Sequence, residues 1–258
     1  MTISSLAHIR IVLVEPAGAL NVGSVARVMK NMGLADLVLV KPQCDRLGAE
    51  ARLMAVRASD VLESAREVET LAEALQGCVK AIATSGRDRA TFTTPIEMPR
   101  LALPWLLDAP AALIFGREDS GLTNAEMNHA QRLIQIPSTA AYLSLNLAQA
   151  VGICCYELAS AIASSSLQES DPIDPPLDPP LDLPNPPSLQ LAPLDDLEGY
   201  YQQLNSLLLE IGYLYPHTAS SRMEKFRKLL NRAYPTTSEV AMLRGVLRQM
   251  AWALKSRS

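Results

Sequence analysis

The segment Ile136-Pro-Ser-Thr-Ala-Ala-Tyr-Leu-Ser-Leu-Asn-Leu-Ala-Gln-Ala150 joins the end of an apolar strand to the start of a long apolar helix. We expect this helix to begin near Ser144, because Ser144 and Asn146 precede a run with almost no charge, 147–163. The start of a helix carries free backbone N–H groups, and here hydroxyl and amide side chains accompany them. The segment therefore predicts a ligand site or, with about equal weight, an ordinary N-cap serine before a buried helix.

Two further segments pair an apolar strand with a polar, glycine-containing loop. The predicted strand 9–14 leads into Glu15-Pro-Ala-Gly-Ala-Leu-Asn-Val-Gly-Ser-Val-Ala-Arg27, in which a helix is predicted over 21–32. The predicted strand 111–116 leads into Arg-Glu-Asp-Ser at 117–120. Open α/β sheets bind ligands at the edge where the carboxyl ends of the parallel strands meet. We therefore expect these two loops and the opening segment to form one site.

The remaining pattern predicts an α/β domain followed by a linker and a small helical domain. Strand-like segments alternate with helix-like ones, which indicates a mostly parallel sheet covered on both faces. The predicted strands lie near 9–14, 36–40, 79–84, 111–116 and 132–136. Residues 165–194 hold half of the chain's 18 prolines, which predicts an extended acidic linker. The linker separates the α/β domain, 1–164, from an all-α domain, 195–258.

Charge is unevenly distributed along the chain, whose net charge is −4. Residues 165–198 contain eight acidic residues and no Lys or Arg, whereas residues 222–258 contain nine basic residues and two acidic ones. In the second of three predicted C-terminal helices, basic residues recur at spacings that place several on one face: Arg222, Lys225, Arg227, Lys228 and Arg232. Such a face suits contacts with RNA phosphates, and the plainer alternative is a solvated helix surface.

The apolar residues of the C-terminal part are numerous enough for a helical core. The three helices are predicted over 195–211, 219–232 and 236–255. The expected core positions are Leu207, Leu208, Phe226, Leu229, Leu230, Leu243, Leu247 and Trp252.

Composition argues against a membrane, secreted or metal-binding protein. The most apolar stretch, 143–163, is interrupted by polar residues and is expected to be a helix buried in protein. The first residues lack the pattern of a secretory signal. The chain's four cysteines have no metal-ligand spacing, so we expect reduced thiols, a cytoplasmic location and no metal.

Taken together, the three segments resemble the motifs of the SpoU (TrmH-like) class of RNA 2′-O-methyltransferases in the SPOUT superfamily. The segment 21–27 resembles the first motif, Phe115-Gly-Arg-Glu-Asp-Ser-Gly-Leu122 the second, and 136–148 the third. The C-terminal segments 211–214, 223–233 and 239–249 resemble the tail of the TrmJ-type tRNA (cytidine/uridine-32-2′-O)-methyltransferases. The resemblance spans nearly the whole chain apart from the linker.

The resemblance implies a SPOUT fold with a deep trefoil knot in the C-terminal part of the α/β domain, and S-adenosylmethionine as the cofactor. The implied cofactor contacts are Thr84, Ser85, Gly86, Gly116, Ile136, Leu143, Ser144 and Leu145. The implied catalytic residues are Arg27, Asn21, Glu118, Ser144 and Asn146.

The role of Arg27 has more than one interpretation. In the family, the matching arginine is proposed to accept or relay the proton of the ribose 2′-OH. A guanidinium is effectively always protonated, so Arg27 is alternatively expected to hold the adjacent phosphate or to stabilise the developing alkoxide. Glu118 is expected to orient Arg27, while Asn21 and Asn146 position it or the ribose.

The implied function is S-adenosylmethionine-dependent 2′-O-methylation of tRNA at position 32 of the anticodon loop. The resemblance also implies a homodimer, for which helices 21–32 and 144–163 are the expected interface, with Arg27 serving the cofactor of the other subunit. A ribosomal RNA 2′-O-methyltransferase is the alternative enzyme, and the TrmJ-like tail favours tRNA over it. A catalytically silent RNA-binding protein is the alternative from another class, and the intact polar residues argue against it.

Overall fold

The computed structural model describes residues 6–86, 95–139, 144–168 and 190–256. Leu143 and most of the proline-rich linker lie outside the described residues. The strands are β1 (Ile9–Val14), β2 (Asp36–Val40), β3 (Arg66–Val68), β4 (Lys80–Thr84), β5 (Ile96–Glu97), β6 (Ala111–Phe115) and β7 (Arg132–Ile134). The helices are α1 (Ala19–Asn31), α2 (Ala49–Ala55), α3 (Ser59–Ser64), α4 (Leu71–Ala74), α5 (Pro99–Ala102), α6 (Asn124–Met127), α7 (Leu147–Gln168), α8 (Leu194–Glu210), α9 (Pro216–Ala233) and α10 (Thr237–Lys255). A 3-10 helix, Leu103–Leu106, follows α5.

The strands form one seven-stranded sheet in the order β3-β2-β1-β6-β4-β7-β5, and every described pairing is parallel. The prediction of an α/β fold with a mostly parallel sheet is therefore confirmed. All five predicted strands are present, although the last ends at Ile134 and not at residue 136. The sequence missed β3 and β5, because runs of three and two residues are too short to show a period.

Helices cover both faces of the sheet, as the continuous apolar strands require. On β1, Ile11 and Leu13 lie in one buried cluster with residues of α1 and α7. Val12 and Val14 lie in a second cluster, on the other face, with residues of α4 and α8. Alternate residues of a strand point to opposite faces, so the central strands are buried on both sides.

Helix α1 carries the first motif and lies close against its neighbours. It begins two residues before the predicted start, and Gly33, just beyond its C-cap, has a φ of +79° that favours glycine. A Cβ on Gly23 would lie 2.2 Å from the carbonyl oxygen of Ala51 in α2. Glycine at this position therefore allows the two helices to pack backbone to backbone.

Helix α7 begins at Leu147, three residues after the predicted start. The N-cap is Asn146 and not Ser144, because the Asn146 Oδ1 accepts a hydrogen bond from the N–H of Ala148 at 2.9 Å. The window Leu147–Ser164 is long and apolar enough to cross a membrane, and 28% of it is buried inside the protein. Gly152 faces α1, where a Cβ would lie 3.7 Å from the Val28 side chain.

The C-terminal helices lie within a residue or so of two predicted ranges, and α9 begins three residues early. Their apolar residues share one buried cluster with a face of the sheet, so they do not form a separate core. The expectation for two core positions is wrong, because Leu229 is 56% exposed and Trp252 63% exposed. Each points away from the shared cluster, whereas Leu207 and Leu247 are buried in it.

Polar contacts fix where these helices dock. The side chain of Asn231 donates to the carbonyl oxygens of Asn128 and Ala130, at 2.9 and 3.2 Å. The N–H of Leu194 donates to the carbonyl of Cys78 at 2.9 Å. Cys78 and Ala130 precede β4 and β7, so the helices dock at the amino ends of these strands.

Candidate active site

Glu118 lies at the centre of a hydrogen-bonded group at the carboxyl ends of β1 and β6. Its Oε1 accepts from the N–H of Gly18 and from the Nδ2 of Asn21, both at 3.0 Å. Its Oε2 accepts from the N–H of Ala17 at 3.1 Å. The loop after β6 is thereby joined to the loop and helix that follow β1, as expected from the parallel sheet.

Asn21 and Asn146 continue this group to the start of α7. The Nδ2 of Asn146 donates to the Oδ1 of Asn21 at 2.9 Å, while the Oδ1 of Asn146 caps α7. Each amide group is thus fixed in orientation by a donor on one side and an acceptor on the other. We call the side chains of Glu118, Asn21 and Asn146 the polar chain. It connects one residue from each of the three predicted motifs.

The electrostatics of Glu118 suit a positioning role. Burial favours its neutral form, but the hydrogen bonds from Ala17, Asn21 and Gly18 outweigh burial and lower the pKa of Glu118 below its ordinary value. The carboxylate therefore stays ionised near neutral pH and accepts hydrogen bonds on both oxygens. A carboxylate in this state is a poor base for a ribose hydroxyl, because its conjugate acid is too strong.

Arg117, beside Glu118, forms a clamp that the sequence analysis did not predict. Its guanidinium pairs with Glu15 after β1 and with Glu126 of α6, at 2.8 and 2.9 Å. The hydrogen bonds that Arg117 donates to Glu126 and Glu15 raise the pKa of its guanidinium. Glu15 has a left-handed backbone, with a φ of +47°. The charged residues that directly follow β1 and β6 were the signal that could have revealed this clamp.

Glu118 does not orient Arg27, contrary to the expectation from the sequence. The side chain of Arg27 is exposed on α1, and it has no hydrogen-bond or ion-pair partner among the described residues. It follows Asn21 by six residues, which places it about 9 Å further along the helix and about 120° around it. The polar chain therefore holds Asn21 and Asn146, and Arg27 points away from it.

The predicted cofactor residues converge on the carboxyl ends of three adjacent strands. Thr84 and Ser85 end β4, where the Thr84 hydroxyl donates to the carbonyl of Ile114 at 3.1 Å. The N–H of Ser85 donates to the carbonyl of Ile134 at 2.8 Å. Among the described residues, no atom lies within 4 Å of the position that a Cβ on Gly86 would take.

The other predicted cofactor residues surround the same edge. A Cβ on Gly116 would lie 2.2 Å from the backbone of Gly121, so glycine is required there by the protein's own loop. Ile136 is partly buried against the core, Leu145 is partly buried, and Ser144 is exposed. Small residues and open backbone at three strand ends fit a ligand with an adenine ring and a polar tail.

Four of the five predicted RNA-contacting residues share one face of α9. At 100° per residue, Arg222, Lys225, Lys228 and Arg232 fall within about 120° of the helix circumference. We call these four residues the basic face. Glu224 lies beside it, and Leu229 lies within it.

Arg227 does not belong to the basic face, which corrects its assignment as an RNA contact. Its guanidinium makes two hydrogen bonds to Glu198 of α8, at 2.7 and 2.9 Å, and both side chains are less than one-fifth exposed. It also lies 4.4 Å from the ring centre of Tyr201. Burial, followed by the charge of Arg227, lowers the pKa of the neighbouring His129 to about 4. Arg227 thus holds α8 and α9 together at the docking site.

Within the described residues, no group of three or more His, Cys, Asp or Glu side chains could hold a metal ion.

The sequence model of the SpoU rRNA Methylase family matches residues 8–156, which is more than half of the chain. The chain belongs to the SpoU methylase family. The model of the C-terminal domain of the tRNA methyltransferase TrmJ matches residues 195–258, a range that includes the basic face.

Relatives that match over more than nine-tenths of their own length include tRNA methyltransferases. The tRNA (cytidine/uridine-2′-O-)-methyltransferase TrmJ of Cronobacter sakazakii is 40% identical, over 94% of this chain and 95% of its own. The tRNA (cytidine/uridine/adenosine-2′-O-)-methyltransferase TrmJ of Pseudomonas aeruginosa is 38% identical, over 94% and 93%. The crystal structure of TrmJ from Z. mobilis ZM4 superposes with a TM-score of 0.79 at 30% identity, over 94% of this chain and 98% of that one. The family resemblance predicted from the three motifs and the tail is confirmed.

Proposed function

We propose that this member of the SpoU methylase family methylates the ribose 2′-OH of a nucleotide in tRNA, with S-adenosylmethionine as the methyl donor. The observation that carries the proposal is the polar chain, which joins the three motifs at the sheet edge through hydrogen bonds of 2.9 to 3.0 Å. Similarity to tRNA methyltransferases along nearly the whole chain supports tRNA as the substrate. The same similarity disfavours ribosomal RNA, and the intact polar chain disfavours a silent RNA-binding protein.

When bound, S-adenosylmethionine supplies an electrophilic methyl group on a sulfonium sulfur. The residues Thr84, Ser85, Gly86 and Gly116, together with Ile136 and residues 143–145, are proposed to hold it with backbone groups. Asn21 and Asn146 are proposed to position the ribose, because their amides are already fixed and need no reorganisation. Ser144 is exposed beside Asn146 and adds a hydroxyl to the same group.

We propose that Arg27 acts on the substrate phosphate or on the developing alkoxide. Its charge is permanent, so it stabilises negative charge on the oxygen, and the 2′-OH proton passes to solvent water when the O–C bond forms and the C–S bond breaks. Its exposed position away from the polar chain is explained if it serves the site of a second subunit. Leu20, which lies two helical turns before Arg27 on the same face of α1, is 47% exposed.

A homodimer through α1 and α7 fits this arrangement. These two helices touch at Gly152 and Val28, and Tyr156, one turn after Gly152, is 58% exposed. We propose that a second copy, and not lipid, covers the remaining apolar surface of α7. The protein is then cytoplasmic, where its tRNA substrate is made.

A deep trefoil knot and a two-part division of the chain complete the proposal. In the sheet, β4 lies between β6 and β7, so the segments after these strands meet at one edge, as the knotted fold of the family requires. Residues 1–164 are proposed to be the catalytic unit and 195–258 the RNA-binding unit, with 165–194 as the linker between them.

The first experiment measures methyl transfer from labelled S-adenosylmethionine to unmodified tRNA, followed by nuclease digestion and mass-spectrometric mapping. We expect a 2′-O-methyl group at position 32 of the anticodon loop. Label in ribosomal RNA but not in tRNA would overturn the choice of substrate. Absence of transfer to either RNA, together with absence of cofactor binding, would favour the silent RNA-binding protein.

The basic face is tested in the full-length chain, because removing the C-terminal helices would expose the apolar cluster that they share with the sheet. Lys225→Ala and Arg232→Ala are expected to weaken tRNA binding. If each residue contacts a phosphate, the slope of log affinity against log salt should fall by about 0.7–0.9 per substitution. Lys255→Ala, on α10, is the matched control. An unchanged slope in both test variants would contradict the proposed RNA contacts.

A further inference from the structure

The turn between α8 and α9 exposes two tyrosines. Tyr213 is 53% exposed and Tyr215 is 54% exposed, whereas Leu214 between them is 1% exposed. His217, two residues further on, is also exposed. We call Tyr213, Tyr215 and His217 the aromatic turn. Three aromatic side chains at alternate positions on one exposed turn are costly to leave in water, and such groups mark interaction sites.

Backbone hydrogen bonds hold the aromatic turn in one conformation. The N–H of Leu214 donates to the carbonyl of Leu208 at 2.9 Å, and the N–H of Ala219 donates to the carbonyl of Tyr215 at 2.8 Å. Gly212, with a φ of +74°, ends α8. The side chain of Arg222 donates to the carbonyl of Tyr213 at 2.9 Å. Rings on a fixed backbone lose little entropy when they bind a partner.

The rings themselves are arranged in pairs. The guanidinium of Arg222 lies 5.6 Å from the centre of the Tyr213 ring. The rings of Tyr215 and His217 lie 6.0 Å apart with an angle of 23° between their planes. Near-parallel rings and a guanidinium over a ring are the surfaces on which nucleic-acid bases stack.

The aromatic turn is continuous with the basic face. Arg222 belongs to the basic face and contacts Tyr213, and His217 lies in the first turn of α9. From His217 to Arg232 the helix rises about 22 Å. One surface therefore presents aromatic rings at one end and a row of positive charges along its length. Proteins that bind single-stranded nucleic acids combine these two features.

We propose that the aromatic turn stacks unpaired bases of the RNA substrate while the basic face holds the adjoining phosphates. The inference rests on the proposed function and adds to it that this surface selects single-stranded RNA, such as a tRNA loop, over duplex. A purely basic face would favour the duplex, because phosphate charges are more densely spaced on a duplex than on a single strand. The base faces are free to stack only where the RNA is unpaired.

The test compares full-length variants with two RNA probes of equal phosphate number, an unstructured oligouridine and a blunt-ended duplex. In Tyr213→Leu/Tyr215→Leu we expect affinity for oligouridine to fall about ten-fold or more, and affinity for the duplex to change less than two-fold. Tyr213→Phe/Tyr215→Phe keeps both rings and should bind as the unsubstituted protein does. His217→Ala provides a milder change in the same direction. The salt slope should stay unchanged in all three, because no charge of the basic face is removed.

Equal loss of affinity for both probes, or no loss for oligouridine, would overturn the inference. Thermal unfolding midpoints confirm that the variants remain folded. Methylation of tRNA by the unsubstituted protein is measured in parallel. If that methylation is present and the leucine variant still binds oligouridine normally, only the present inference fails; if it is absent, the proposed function fails.

Discussion

Replacing Glu118 with Gln tests whether the polar chain positions the catalytic amides. The carboxylate accepts three hydrogen bonds, from Asn21 and from the N–H groups of Ala17 and Gly18. A glutamine at this position can keep its oxygen toward Asn21 and Gly18. Its NH₂ group then faces the N–H of Ala17, so one hydrogen bond is replaced by two opposed donors.

The expected cost follows from these contacts. Hydrogen bonds to charged groups contribute about 1.5–3 kcal/mol each, and neutral ones about 1 kcal/mol. Losing the exposed bond to Ala17, which solvent weakens to about 1 kcal/mol, and about 0.5 kcal/mol of charge assistance on each of the other two bonds therefore costs about 2 kcal/mol. If that cost falls on the positioned state of Asn21, methyl transfer slows about 30-fold. Binding of S-adenosylmethionine should change little, since the hydrogen-bond partners of Glu118 are Ala17, Gly18 and Asn21, and none of these is a predicted cofactor residue.

Asp119→Asn is the matched control. Asp119 is the adjacent residue, is exposed, and contacts the hydroxyl of Ser120 in its own loop. The substitution removes the same charge near the same site without touching the polar chain. The assay is single-turnover methyl transfer to tRNA at saturating cofactor, with cofactor affinity measured separately by calorimetry. Equal rates for Glu118→Gln and Asp119→Asn would refute the positioning role of Glu118.

The low pKa of Glu118 adds a pH test. Because its folded pKa lies below its unfolded value, the carboxylate stabilises the folded loop fully above the unfolded pKa, and this stabilisation is lost as the pH falls through the folded pKa. Methyl transfer by the unsubstituted protein should therefore decline in acid. Glu118→Gln should lack this component of the decline. A decline of the same shape in both proteins would assign it to another group.

Three further predictions concern other parts of the molecule. Arg27→Ala should reduce methyl transfer at least 100-fold with the unfolding midpoint unchanged, because Arg27 is exposed and unpaired among the described residues; normal turnover would remove it from the mechanism. Asn146→Asp keeps the oxygen that caps α7 but loses the donor to Asn21, so its methyl-transfer activity should fall. Its stability should change less than that of Asn146→Ala, which also loses the cap at a cost of about 1 kcal/mol. Equal stabilities of the two variants in urea unfolding would contradict the cap. His129 is held neutral in the fold with a pKa of about 4, so the free energy of unfolding should decrease as the pH falls from about 6.5 toward 4, and His129→Phe should flatten this dependence; an identical pH profile in the variant would show that another group is responsible.

The sequence by itself determined the sheet and the grouping of the motifs. Apolar runs such as Ile9–Val14 and Ala111–Phe115 are stable only when both faces of the strand are buried. Parallel strands bring the residues that follow them to one edge of the sheet. That is why the sequence places Asn21, Glu118 and Asn146 at one site. The spacing of basic residues on α9 likewise follows from helical geometry alone.

Only the tertiary structure decided which partner each of these groups takes. Glu118 accepts from Asn21 and not from Arg27, because the turn of α1 places these two residues about 120° apart. Helical spacing alone places Arg227 outside the basic face, but only the tertiary packing decides that its partners there are Glu198 and Tyr201 of α8. Such pairings join residues far apart in the chain, and no local pattern encodes them. The sequence predicted the C-terminal helices as a separate domain, but they share their apolar core with the sheet. Apolar residues specify that a surface is buried, but they do not specify which other surface covers it.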